Sequence, residues 1–260
     1  MLFRSTGLRR AWGAPCKGFY RMETSDGKVT CSAGPDAAPA GVDVTVRRST
    51  AQIRDAVLKS RFAGLPARAA RLGHRVNDVL NDAGVPCIGD GTSGSRIQMI
   101  YAVASDKPDR YTSLLPTFSR IASQMDAALV LSAAETGGER HFRFVTTPDC
   151  SLSVKHVVLS PTGDDTFANT TSELKALGYT DAGRKYHVWM DANLYCGIGQ
   201  VWPDDKPGLT NANASSVSIA RSDNGCWGYS EIHELFHGLG AVQLSAPNSA
   251  GNYHCRSEEH

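Results

Sequence analysis

The stretch Tyr229-Ser-Glu-Ile-His-Glu-Leu-Phe-His-Gly-Leu-Gly-Ala-Val-Gln243 decides how the chain is read. His233 and His237 are four residues apart, so in an α-helix their imidazoles leave one face about a turn apart, close enough to share one metal ion. Glu234 follows the first histidine, where its carboxylate can act as general base on a water at the metal and later pass the proton to a leaving amine. Ile232, Leu235, Phe236 and Leu239 supply apolar contacts on the remaining faces, as expected of a helix buried beneath a cleft. Gly240 stands where a left-handed residue would end the helix and turn the chain back.

Zn²⁺ is the metal this donor pattern selects, because it accepts neutral imidazole and tolerates three protein ligands with one position left to water. A water on zinc falls from a pKa of roughly 16 to about 7, so the site needs no serine or cysteine nucleophile.

The motif resembles that of the metzincin zinc endopeptidases, HExxHxxGxxH or HExxHxxGxxD. In that pattern the turn after the glycine brings a third ligand to the metal, and the matching position here is Gln243, a neutral and weaker oxygen donor. Three readings stand for the third ligand. Gln243 binds through its carbonyl oxygen, or a tail residue substitutes (His254 first, then Glu258, Glu259 or His260), or the site is defective. The resemblance also implies a downstream methionine turn flooring the site, yet no methionine follows Met190. From residue 201 to 255 the chain is similar to secreted bacterial metalloprotease-like proteins with glutamine in the same slot. They normally continue through a further cysteine and methionine, so this chain is expected to be cut short at its carboxyl end.

The chain has 260 residues, 41% hydrophobic and 20% charged, with a net charge of +1. That suffices for one substantial core and argues against a bulk electrostatic partner. No basic face points to nucleic acid and no apolar run is long enough to cross a bilayer, so a soluble, monomeric protein with a peptide or protein substrate is expected. Seven cysteines (16, 31, 87, 150, 196, 226 and 255) lie far apart without a CxxC pair, which suits disulfides and an oxidising, extracellular setting; the odd count leaves one thiol over. The first ten residues carry charges without the apolar stretch of a signal peptide, so a truncated start is expected as well.

Residues 1–84 read as an N-terminal extension, irregular and stapled up to about residue 42 and helical from 49 to 80 with a break at Gly64-Leu-Pro66. Residues 85–260 read as the metalloprotease-like domain. Its Cys87–Gly94 run is a glycine-rich turn without a P-loop lysine. A strand at 97–104 precedes a long amphipathic helix at 113–133. Further strands are expected at 142–146, 154–159 and 186–190, with a short helix near 172–177. Either 196–202 or 216–220 would supply an edge strand beside a substrate cleft, on which a peptide would lie extended.

The expected fold is therefore α+β: a metzincin-like N-terminal subdomain, with a twisted mixed sheet, a backing helix, an active-site helix and a disulfide-stapled extension. His74, His141, His156 and His187 lack partners at ligand spacing and read as ordinary surface or core histidines. The aspartate pairs 164–165 and 204–205 read as turn residues. Two functions follow from these readings. One is a zinc-dependent endopeptidase with Glu234 as base, and the other a catalytically inactive protease-fold binding module.

Overall fold

The computed structural model describes residues 8–59, 64–71, 84–241, 243 and 245. The expected tail ligands His254, Glu258, Glu259 and His260, the odd Cys255, and His74 with the helical pattern at 72–80 lie outside the described residues.

The long strand β4 (Arg96–Ala104) is the centre of the molecule, and all nine of its residues are buried. Its side chains alternate between two cores. Met99, Tyr101 and Val103 enter one, whereas Ile100 and Ala102 enter the other. Both faces of a strand are apolar when helices cover both faces of the sheet, as parallel pairing requires. β4 pairs in parallel with β5 (Val154–Leu159) and with β6 (Arg184–Met190), and β6 pairs in parallel with β8 (Ser218–Asp223). β7 (Gly197–Val201) is antiparallel to β8.

The first core lies under α3 (Tyr111–Ala134), the backing helix, which buries Leu114, Phe118, Ile121, Met125 and Leu131 on one stripe. Phe118 stacks on Trp189 with ring centroids 4.3 Å apart, and Trp227 meets Phe118 edge-on at 5.2 Å. Aromatic pairs of this kind add about 1 kcal/mol each beyond the area they bury. The same core takes Leu235 from α6 (Glu231–Gly238), with Ile232 and Phe236 packed at its rim. Leu239 departs from expectation: it is 40% exposed, because the helix has ended and the chain has begun to turn. On the opposite face α4 (Phe167–Ala176) contributes Phe167 and Leu174 to the second core.

The N-terminal extension is not irregular. It forms a meander of β1 (Arg9–Arg10), β2 (Tyr20–Glu23) and β3 (Val29–Ser32), stapled by Cys16–Cys31, and β3 pairs antiparallel with β7. One eight-stranded mixed sheet results, in the order β1-β2-β3-β7-β8-β6-β4-β5. Phe19 and Met22 are the residues that draw the meander inward, since both are buried. After it come α1 (Thr50–Leu58) and α2 (Leu65–Arg71), which contact α3. Ser49 and Gln52 form a reciprocal capping box at the start of α1. Cys87–Cys150 and Cys196–Cys226 complete the described disulfides.

The expected strand at 142–146 does not form. Phe144 makes one parallel bridge to Ile97 and Thr146 one antiparallel bridge to Leu152. The reason is local: the chain turns back at Thr147–Cys150, where Cys150 takes a φ of 67° and is tied to Cys87, so pairing stops after one residue on each side. The glycine-rich run before β4 is a turn, with Asp90 accepting the backbone N–H groups of Thr92 and Ser93. A short helix, α5 (Ala212–Ser215), precedes β8. No described helix is long and apolar enough to cross a membrane.

Candidate metal centre

Helix α6 is built to hold its position. Ser230, just before it, donates its hydroxyl to the Cys196 carbonyl or to Ser222 Oγ, which lie 3.1 and 2.8 Å away. Glu231 in the first turn accepts from the Gly228 amide at 2.8 Å and from the Trp189 indole N–H at 3.1 Å. A carboxylate there also meets the positive end of the helix dipole. At the other end Gly240 has φ 80°, the Ala241 amide donates to Phe236 O, and the Gly240 amide donates to His237 O. That pair of bonds is a Schellman cap, so the glycine ends the helix as its sequence position foretold.

The helix lies on β7 and β8 at very short range, and glycines make this possible. A Cβ at Gly199 would stand 2.7 Å from the Glu234 carbonyl oxygen and 3.1 Å from His237 Cβ. A Cβ at Gly197 would run into the Glu234 carboxylate itself. The two glycines are one strand repeat apart and so face the helix together. Glu234 and His237 are fully buried as a consequence, while His233 keeps a quarter of its side chain exposed.

On this helix the two imidazoles converge, with His233 Nε2 and His237 Nε2 3.0 Å apart. The third donor comes from a part of the chain that the sequence reading did not connect with them. Asp36 Oδ2 lies 2.9 Å from His233 Nε2, and one ligand atom from each of Asp36, His233 and His237 lies within 4.8 Å of the others. Among the described residues these three form the group of histidine, cysteine and acidic side chains placed to hold an ion. Gln243 is buried, and its side-chain amide donates to the Trp202 carbonyl at 2.7 Å. No spacing or periodicity links residue 36, in the stapled extension, to residue 233. What brings them together is the β3–β7 ladder, which carries the following residues along β7, where the Asp36 amide donates to the Gly197 carbonyl.

The remaining described histidines have other surroundings. His141 Nδ1 is 2.8 Å from Asp126; burial acts to lower its pKa, but the hydrogen bond and charge of Asp126 outweigh that and raise it. His156 Nε2 is 2.7 Å from Asp109, and its ring stacks on Tyr111. His187 is wholly buried in β6, where burial holds it neutral with a pKa of about 3. Asp204 caps the loop before α5, accepting from the amides of Lys206 and Ala212. Trp227 is core: it is buried and its indole donates to the Ser222 carbonyl.

No family model and no curated protein matches the chain. Among solved structures it is similar to metalloproteinase-II from Bacteroides fragilis, at 11% identity and a TM-score of 0.25. The match covers 87% of this chain and spans 66% of the length of that one.

Proposed function

We propose that the chain is a zinc-dependent endopeptidase of metzincin type, secreted, monomeric and acting on peptide or protein substrates. The observation that carries this reading is the convergence of His233 Nε2 and His237 Nε2 to 3.0 Å on a helix whose intervening Glu234 is pressed against β7. The donor set fits the metal. Two nitrogens bound to a tetrahedral zinc at about 2.0–2.1 Å stand roughly 3.3 Å apart, and two imidazoles with one carboxylate are an established zinc set.

His233 and His237 would hold the ion. When bound, zinc would supply Lewis-acid polarisation of a carbonyl and a water acidified to a pKa near 7. Glu234 supplies the proton relay: its carboxylate takes a proton from the attacking water and returns it to the leaving amine. Burial beside Gly197 and Gly199 fixes that carboxylate in one place, which is what a general base requires. Glu231, bonded to Trp189 and Gly228, orients the helix. Three disulfides support the extracellular assignment, since such bonds persist in oxidising compartments.

The test is zinc stoichiometry together with casein hydrolysis in the wild-type chain and in Glu234→Gln. One zinc per chain is expected in both, with hydrolysis lost in the variant. Equal hydrolysis by a fully zinc-loaded Glu234→Gln protein would overturn the mechanism.

A further inference from the structure

The chain as a whole carries a net charge of +1, but that charge is unevenly spread. From Leu8 to Met22 the sequence holds Arg9, Arg10, Lys17 and Arg21 and no acid, and all four cations are exposed. The β1–β2 ladder sets two of them face to face, since Arg9 is the register partner of Arg21. Like charges directly opposite one another weaken an antiparallel pair. Two arginines so placed on the outermost strands of the sheet therefore gain from an anion brought to them.

The loop between these strands supplies an independent observation. Its neck is closed by the Ala11 amide donating to the Phe19 carbonyl and the Gly18 amide to the Ala11 carbonyl, both at 2.9 Å. Its base is rooted by Cys16 and Phe19, which are buried with Cys31, Ala33 and Val201, and Cys16 is bridged to Cys31. Beyond that fixed base the tip, Trp12-Gly-Ala-Pro15, is uncharged and exposed throughout. Trp12 is 84% exposed, so its indole contributes little to the core. The Arg10 guanidinium lies 5.9 Å from the Trp12 ring centroid, and an open hollow of about 280 Å³ is lined by the tip and by Arg21.

We propose that this hairpin tip is a peripheral docking site for an anionic lipid bilayer, with Trp12 entering the interface and Arg9, Arg10, Lys17 and Arg21 meeting the head-group phosphates. An indole has an apolar body and one polar N–H, which suits it to the head-group level, and cations behind it suit a negative leaflet. A polyanion in water engages the cations alone and gains little from an uncharged tip. One aromatic ring and four cations give reversible, salt-sensitive attachment, short of insertion. Neither zinc nor hydrolysis enters this inference, so it stands or falls apart from the metal centre.

The experiment is co-sedimentation of the full chain with phosphatidylcholine vesicles, with and without phosphatidylglycerol. Binding to the mixed vesicles is expected, and binding to phosphatidylcholine alone should be weaker by at least about tenfold, because each Lys or Arg near an anionic leaflet is worth about fivefold in partition. Arg10→Gln combined with Arg21→Gln should weaken binding by about tenfold or more, and added salt should do the same. Trp12→Ala should weaken it at least about fivefold with the melting temperature unchanged, since the side chain is exposed. Lipids brominated in their acyl chains should quench tryptophan fluorescence in the wild-type chain and not in Trp12→Phe, because Trp189 and Trp227 are buried and the Trp202 indole is held by the Val217 carbonyl. No binding to the mixed vesicles, equal binding to both kinds, or binding undiminished by Trp12→Ala would each overturn the inference. Capture by soluble dextran sulfate without any vesicle binding would overturn it too, and would assign the cations to a polyanion in water.

Discussion

At the residue scale the site depends on two side chains that are absent. Gly197 and Gly199 let α6 approach β7 closely enough to bury Glu234. The two differ in what a methyl group would strike, and this makes them a matched pair of tests. At Gly199 the obstacle is helix backbone, the Glu234 carbonyl at 2.7 Å, so the helix as a whole must shift. Gly199→Ala is expected to cost about 1–3 kcal/mol in denaturant unfolding and to weaken zinc binding, because His237 moves with the helix. At Gly197 the obstacle is the Glu234 carboxylate, which can rotate away. Gly197→Ala is therefore expected to keep its zinc while hydrolysis falls; a variant with hydrolysis unchanged would show that the buried carboxylate is not the base. The convergence of His233 and His237 on one helix and the end of that helix at Gly240 were legible from spacing alone, because a helix fixes the relation between residues a turn apart. Asp36 was not legible. Its place is set by a pairing between strands almost 170 positions apart in the sequence, for which a single chain carries no local signal.

At the scale of elements, the strands and helices that bury a regular stripe were the readable ones. β5 has the bounds its apolar run implied, and the long helix extends the expected 113–133 by a residue or two at each end. The segment at 142–146 failed because a strand needs a partner for its whole length, and its neighbour is lost where the chain turns at Cys150. β6 makes a prediction of its own through His187. Its folded pKa of about 3 lies below the usual value of 6.5, so between these values the unfolded chain binds a proton that the folded chain refuses. Stability is then fully present above about pH 6.5 and falls as pH drops through that window, at a slope of up to about 1.4 kcal/mol per pH unit. His187→Leu should flatten the acid side of the unfolding profile measured from pH 7 to pH 4; an unchanged profile would mean the imidazole is solvated. The turn at the end of α6 is a second element-level test. Gly240→Ala places a left-handed alanine whose Cβ would be 2.8 Å from Asn213 Cγ, and a loss of at least about 1 kcal/mol is expected.

At the scale of the whole molecule, the sheet is continuous because the N-terminal meander adds three strands to the five of the body. The connection that follows the meander is clasped to the ends of the central strands by Asp191, which is fully buried and accepts from Arg47, Arg110 and Tyr101. Both guanidiniums engage it through two nitrogens, at 2.9 and 3.0 Å for Arg47 and at 2.6 and 2.9 Å for Arg110. Asp191→Ala removes the shared acceptor and leaves two cations together, so a loss of about 3 kcal/mol in urea unfolding is expected. A loss below about 1 kcal/mol would show that the clasp is solvated. The α+β class and the order of elements around α6 followed from composition and periodicity. The joining of the extension to the sheet did not, since β2 and β3 are four residues each and too short to show alternation.

The central claim is that His233 and His237 close on one zinc ion. Anomalous diffraction at the zinc edge, from crystals of the full chain grown with zinc, tests it most directly. One peak about 2.0–2.1 Å from the Nε2 atoms of both histidines is the predicted result. A peak elsewhere, or two imidazoles turned apart with no peak between them, would contradict the account.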